Sequence, residues 1–107
     1  MAKTIWQQLL NDMSVIESKY ILAREGQTFD FQTDVVPFTS IVDTHIHTMH
    51  ETTNQFLIQR NRIESLMQTL SVACHDKRTS KQQFYNQVKT VKHDLLTIER
   101  QVGNQHV

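Results

Sequence analysis

A stripe of apolar residues between Phe38 and Cys74 restricts the folds open to this chain more than any other feature. Its members recur at intervals of three, four or seven residues, the spacing that aligns side chains along one face of a helix. They are Phe38, Val42, Met49, Phe56, Ile63, Met67, Leu70 and Cys74. A helix with one apolar face is stable in water when another element covers that face. We therefore predict an all-helical protein in which the rest of the chain packs against this stripe.

Two further stripes with the same spacing flank the central one. The first predicts a helix from about Thr4 to Glu25, with Thr4 and Gln7 as a capping box and Gly26 ending it. Its buried face is Ile5, Leu9, Met13, Ile16 and Tyr20. The last stripe predicts a helix from about Ser80 to Gly103. Its buried face is Phe84, Val88, Val91, Leu95, Ile98 and Val102.

The central stripe is too long for one ordinary globular helix. An uncapped helix across all of it would exceed ~25 residues, and Thr52-Thr53-Asn54 has low helix propensity. We therefore place a break between Glu51 and Phe56, with the second helix beginning shortly before Pro37 and the third ending near Lys77-Arg78. The second helix buries Phe38, Ile41, Val42, Ile46 and Met49, and the third buries Ile63, Leu66, Met67, Leu70, Ala73 and Cys74.

Four amphipathic helices with short connections predict an antiparallel four-helix bundle. The alternative is an arrangement of three long helices, which follows if the second and third helices are continuous. In either case residues 1–107 form a single domain, because a chain of this length supports one core.

Composition excludes several classes of partner. Lys plus Arg and Asp plus Glu number 11 each, so the formal net charge is zero. No basic stripe is present to neutralise phosphates, which argues against nucleic acid and against an anionic membrane. No run approaches the ~20 apolar residues of a membrane span. One cysteine and an N-terminal sequence without a signal-peptide core predict a cytoplasmic protein.

The order of several features resembles the YppE-like family, small uncharacterised helical-bundle proteins of Gram-positive bacteria. The triplet Phe29-Asp30-Phe31 leads into Val36-Pro37-Phe38, and later come the Gln59…Ile63 entry to the third helix, the pair Lys77-Arg78 and the apolar ladder from Phe84. The similarity covers about residues 20 to 99. It implies an antiparallel four-helix bundle and no established activity, catalytic residue or cofactor.

The string Asp43-x-His45-x-His47 looks like the first metal-binding strand of amidohydrolases and TatD-like hydrolases. Those enzymes need both histidines on one side of a strand, where residues two apart share a face. On a helix, residues two apart point about 200° from each other. The chain is also too short for a barrel of about 250 residues. The hydrolase interpretation is therefore disfavoured.

A metal site on helices is a separate hypothesis. His47 has helical spacing to both His50 and Glu51, which places possible ligands on one face. A divalent transition metal would then take a further ligand from a facing helix, with three candidates: His75, His93 or Asp94. The competing interpretation is a solvated polar face, which is the more frequent fate of such residues.

Two other chemically versatile residues lie on the apolar stripe itself. His45 falls between Val42 and Met49, which predicts a partly buried, hydrogen-bonded imidazole at the edge of the core. Cys74 lies on the third helix where a small apolar side chain suffices, and it is predicted to be an inert core thiol. Neither is predicted to be catalytic.

Clean apolar stripes, neutral charge and the lack of phosphate-binding loops favour a non-enzymatic bundle that acts through protein contacts. Its partner is either another protein or a second copy of the chain in a homodimer, and no cofactor is expected. Trp6 and Tyr85 border their stripes and are the candidate partner-binding anchors, although such residues more often seal a bundle. The metal-binding bundle, as a hydrolase or transferase, is the alternative function.

Overall fold

The computed structural model describes residues 3–104, the last two by their backbone alone, and this part of the chain is an all-α bundle. It contains four α-helices: α1 (Ile5–Arg24), α2 (Val36–Thr52), α3 (Leu57–Ala73) and α4 (Lys81–Asn104). Among the described residues, none of these helices is long and apolar enough to cross a membrane.

The ends of α1 follow from local sequence chemistry. The Thr4 hydroxyl accepts from the Gln7 amide at 3.2 Å, and the Gln7 side chain accepts from the Thr4 amide at 3.2 Å. The predicted capping box therefore forms, and it satisfies amides that a helix otherwise leaves unpaired. After the helix ends, Gly26 adopts φ 108°, a conformation in which a side chain would be strained.

A single π-helical turn, Phe31–Val35, joins the first connection to α2. The Asp30 side chain caps this turn by accepting from the Thr33 amide at 2.8 Å. Pro37 lies in the first turn of α2, where its missing N–H removes no intrahelical hydrogen bond. The start of α2 therefore agrees with the sequence prediction.

The chain reverses between α2 and α3 over residues 53–56, inside the predicted interval. Phe56 occupies the left-handed region with φ 60°, and its ring packs partly against the core. The bundle thus has four helices, and the three-helix alternative is wrong. Helix α3 ends at Ala73, earlier than predicted. The chain turns there because the Thr79 hydroxyl donates to the Ala73 carbonyl, and the Asp76 side chain accepts from the Arg78 amide.

The helices pack in chain order around one core, with α1 beside both α2 and α4. Members of every predicted stripe are fully enclosed, including Leu9, Met13, Ile16, Tyr20, Val42, Met49, Ile63, Met67, Leu70, Cys74, Phe84, Val91, Leu95 and Ile98. Ile41 was predicted to be buried but is 52% exposed. It precedes the enclosed Val42 by one residue, which rotates it about 100° from the core. Leu66 and Ala73 are only half-buried.

Candidate functional site

The groove between α1 and α4 holds Tyr85, one of the two predicted anchors. The Tyr85 ring meets the Tyr20 ring edge-on at 6.0 Å and the Phe84 ring at 5.1 Å between centroids. These contacts fix one side of the ring while the residue stays half-buried. Tyr85 lines two surface depressions, one of about 200 Å³ and one of about 440 Å³. A rigid aromatic ring therefore stands between two concave surfaces.

Two aliphatic side chains extend the apolar part of this groove. Ile21 on α1 is 48% exposed and Leu96 on α4 is 45% exposed, and each lines one of the two depressions. Both lie beside the core stripe of their helix, next to Tyr20 and Leu95 respectively. Neither residue was predicted from the sequence, although an apolar residue adjacent to a complete stripe is a usable signal for a second apolar surface.

Charged side chains flank the groove in two rows. Lys81 and Lys89 lie on α4, Glu17 lies on α1, and Glu25 caps the C-terminal end of α1. The Lys92 ammonium is 2.6 Å from the Glu17 carboxylate, so that pair crosses the groove. Within residues 3–102, Lys81, Lys89 and Glu25 form no ion pair, and these charges remain available to a partner.

Trp6, the other predicted anchor, is 3% exposed and belongs to the core. The prediction that it presents an exposed surface is wrong. Its position three residues before Leu9 and seven before Met13 places it on the buried face of α1. Trp6 instead seals the bundle, the more frequent role of such a residue.

The three predicted metal ligands do not converge. His47 and Glu51 lie 3.5 Å apart with both side chains mostly exposed. His50 turns away toward α3, where its Nδ1 accepts from Arg60 at 2.8 Å. Because a guanidinium only donates, Nε2 of His50 carries the proton and donates to Glu64 at 3.1 Å. Across the described residues no three His, Cys, Asp or Glu side chains are arranged to hold a metal. Metal binding by His47, His50 and Glu51 stays a prediction that this arrangement does not support.

The candidates for a further ligand lie in separate environments. Asp94 is buried and accepts two hydrogen bonds from Arg62, both at 2.7 Å. His93 is exposed beside the α1–α4 groove. His75 lies at the end of the bundle, edge-on to the rings of Phe29 at 5.0 Å and Phe38 at 5.8 Å. Asp94 and His75 thus make contacts in different parts of the fold.

The environment of His75 favours its neutral form. Burial lowers the pKa of His75, and the nearby Lys19 ammonium lowers it further. Its Nε2 is buried and has no hydrogen-bond partner among residues 3–102. The adjacent Cys74 is enclosed, and burial raises the pKa of its thiol to about 12. Cys74 therefore stays protonated at neutral pH, as predicted for a core thiol.

His45 pairs with a buried carboxylate on α1. Its Nδ1 lies 2.6 Å from Oδ2 of Asp12, and the imidazole is partly exposed, as the sequence predicted. Burial raises the pKa of Asp12, while the hydrogen bond from His45 opposes that rise. Asp12 was not among the residues predicted from the sequence. Its spacing of three residues after Leu9 and four before Ile16 places a carboxylate on the apolar face, which is the signal that a polar partner must face it.

Asp43, His45 and His47 of the hydrolase-like string all lie on α2. The side chain of His45 turns toward α1, whereas Asp43 and His47 are exposed. This divergence follows from the helical rotation of about 200° between residues two apart, and the string does not form the strand motif of those hydrolases.

Comparison with known proteins places the chain in a family. The model of a bacterial domain of unknown function, DUF1798, matches residues 6–102. The chain belongs to this family. That description agrees with the bacterial origin implied by the YppE-like resemblance, whereas the finer name stays a prediction. No curated protein matches the chain.

A solved structure has the same fold. The chain is similar to a protein of unknown function from Listeria innocua, with a TM-score of 0.81 and 18% sequence identity. The alignment covers 95% of this chain and 90% of the Listeria chain. At this identity the likeness establishes the helical-bundle fold alone, so the groove must be interpreted from its own residues.

Proposed function

We propose that this protein is a non-enzymatic module that acts through protein contacts made by the α1–α4 groove, with Tyr85 as the anchor. The observation that carries the proposal is the Tyr85 ring, held by Tyr20 and Phe84 between two depressions. A tyrosine loses little conformational freedom on binding, because its ring has few rotatable bonds and here is already fixed.

The surroundings of Tyr85 match the anatomy of a protein interface. Half-exposed Ile21 and Leu96 provide an apolar centre, and Lys81, Lys89 and Glu25 provide a charged rim. Interfaces commonly combine an aromatic anchor with a polar rim that sets orientation and excludes wrong partners. Truncating such an anchor costs about 2 kcal/mol of binding free energy or more.

The polar side chains of the types that enzymes use in catalysis make contacts within the fold. Both ring nitrogens of His50 are hydrogen-bonded, Asp94 is held by Arg62, and Asp12 is paired with His45. Cys74 is an enclosed thiol. These contacts support a binding role over catalysis, and the retained thiol is consistent with our proposal of a cytoplasmic location.

A site-specific photo-cross-linker tests the proposal in cells that produce the protein. A photoreactive phenylalanine analogue replaces Tyr85 in one variant and Phe31 in a matched control, because Phe31 is an exposed aromatic residue at the end of the bundle. We expect a discrete cross-linked protein from position 85, identified by mass spectrometry, and little from position 31. Equal yields from both positions, or no product from position 85, would contradict the proposal.

A further inference from the structure

We infer that the α1–α4 groove is occupied by a second copy of this chain, packed about a two-fold axis parallel to the bundle. The inference rests on the proposed function, because it names the occupant of the same surface. It depends on the level of each charged and apolar residue, meaning its position along the axis shared by α1 and α4.

Contacts between α1 and α4 fix those levels. The two helices are antiparallel: Tyr20 stacks on Phe84 with centroids 4.0 Å apart, and Glu17 pairs with Lys92. One depression is lined jointly by Ile21, Glu25, Lys81 and Tyr85, and by Arg24, whose guanidinium donates to the Lys77 carbonyl at 3.0 Å. The other is lined jointly by Glu17, Lys89 and Lys92. Along the groove, an acidic residue on α1 or at its C-terminal cap therefore faces a basic residue on α4 at each end, with the apolar pair Ile21 and Tyr85 between them.

A two-fold axis parallel to the bundle exchanges α1 and α4 without changing these levels. Each α1 then lies over the α4 of the other copy. Glu25 meets Lys81 of the second copy, Ile21 meets Tyr85, and Glu17 meets Lys89. Symmetry makes every one of these contacts twice. The face is therefore complementary to itself in both charge and apolar surface.

The charges also disfavour the other symmetric packing of the same face. An axis perpendicular to the bundle places α4 on α4, so that Lys81, Lys89 and Lys92 of the two copies approach one another. Like charges that face each other across an interface are unfavourable. In the parallel arrangement Lys81, Lys89 and Glu25, which have no ion pair within residues 3–102, all gain an opposite charge.

The size of the groove predicts a weak and reversible dimer. The stretch from Lys81 to Leu96 is roughly 22 Å long at 1.5 Å per residue, and two packed helices are roughly 20 Å wide. Such a surface buries less than the roughly 1,200 Å² of a standard interface. We expect a dissociation constant of tens to hundreds of micromolar, on the order of the affinities of transient complexes.

Charge reversal with mixing tests the arrangement by sedimentation velocity. Samples of wild type, Lys81→Glu, Glu25→Lys and an equimolar mixture of the two variants are compared from about 10 µM to about 1 mM, the range that brackets the expected constant. We expect each reversal alone to weaken self-association by about tenfold, because two attractive contacts become repulsive. The mixture restores association, since each variant supplies the charge that the other needs.

Mixing separates contact between copies from an effect inside one chain. A variant that is weakened because its own fold is altered cannot be rescued by a second altered variant, and circular dichroism checks that both remain helical. Wild type that stays monomeric, reversals without effect, or a mixture that fails to recover would each overturn the inference. A different protein cross-linked at Tyr85 would then still support the proposed function, whereas the absence of any cross-link would remove it as well.

Discussion

The two sides of the bundle differ in how far their polar side chains are paired with one another. Between α2 and α3 the polar groups form a chain of hydrogen bonds within the fold. The Arg60 guanidinium donates to the Gln55 carbonyl at 2.6 Å and to His50, and His50 donates to Glu64. Between α1 and α4, Lys81 and Lys89 have no carboxylate partner within residues 3–102. The α2–α3 side is therefore closed by contacts within the fold, whereas the α1–α4 side is open, with basic side chains available to the partner that we propose.

The largest effect expected from removing a polar side chain comes from the closed side. Arg60→Ala removes a buried guanidinium and leaves the Gln55 carbonyl and His50 without that donor. We expect the free energy of unfolding to fall by about 3 kcal/mol, because the buried Arg60 side chain loses its packing together with its hydrogen bonds to the connection and to α2. Urea denaturation measures it. Arg78→Ala is the control, since that guanidinium is exposed and pairs locally with Asp76. Equal midpoints for the two variants would show that the network does not stabilise the fold.

A somewhat smaller effect, with a defined pH dependence, is expected for His45→Ala. The change leaves the buried Asp12 carboxylate without its imidazole partner, at a cost of about 2 kcal/mol at neutral pH. The pKa of Asp12 is raised from 3.8 in the folded protein, so the folded state holds this proton more tightly than the unfolded state. Stability from this group is therefore greatest below 3.8 and falls as pH rises through the folded pKa.

Loss of His45 removes the hydrogen bond and charge that lower the pKa of Asp12, so the pKa of Asp12 in the folded variant rises further. Stability then falls over a pH range that extends to higher pH. Urea denaturation from acid to neutral pH should show a small loss for the variant near pH 3 and a larger loss near pH 7. Asp12→Asn is the companion variant, because it removes the titrating group. A loss that is independent of pH, or the same pH-dependent loss when His45→Ala is made in the Asp12→Asn protein, would contradict the assignment.

A smaller effect on stability is expected on the open side. Tyr85→Ala should lower the free energy of unfolding by about 1 kcal/mol, because the ring is only half-buried. Phe84→Ala, which removes the adjacent and fully enclosed ring, should cost about 4 kcal/mol. Thermal unfolding of both variants checks the ratio. A Tyr85 variant as unstable as the Phe84 variant would mean that Tyr85 serves the core instead of a partner.

The sequence predicted the elements well because each apolar stripe is continuous and its boundaries have local causes. The capping box of Thr4, the position of Pro37 and the break before Leu57 depend on neighbouring residues alone. Ile41 and Trp6 were misplaced because helical stripes have ambiguous edges: Ile41 rotates out of the core, whereas Trp6 rotates into it.

The candidate site was less predictable because it depends on pairs that are distant in sequence. The position of His50 is set by Arg60 and Glu64 across the α2–α3 turn, which helical spacing to His47 does not reveal. Asp12 and His45 come from different helices. Tyr85 borders its stripe as predicted and is half-buried, while its role as an anchor stays a prediction. The groove around it needs the register of α1 against α4.

The most direct measurement compares two isoleucines of similar exposure, one inside the α1–α4 groove and one outside it. Ile21 lies in the α1–α4 groove at 48% exposed, and Ile41 lies on α2 at 52% exposed. Each is changed to aspartate in the protein that carries the photo-cross-linker at position 85, and the cross-linked yield is measured. We predict that Ile21→Asp abolishes the product and Ile41→Asp leaves it intact, with both variants folded. Equal yields from the two variants would contradict the assignment of the α1–α4 groove as the contact surface.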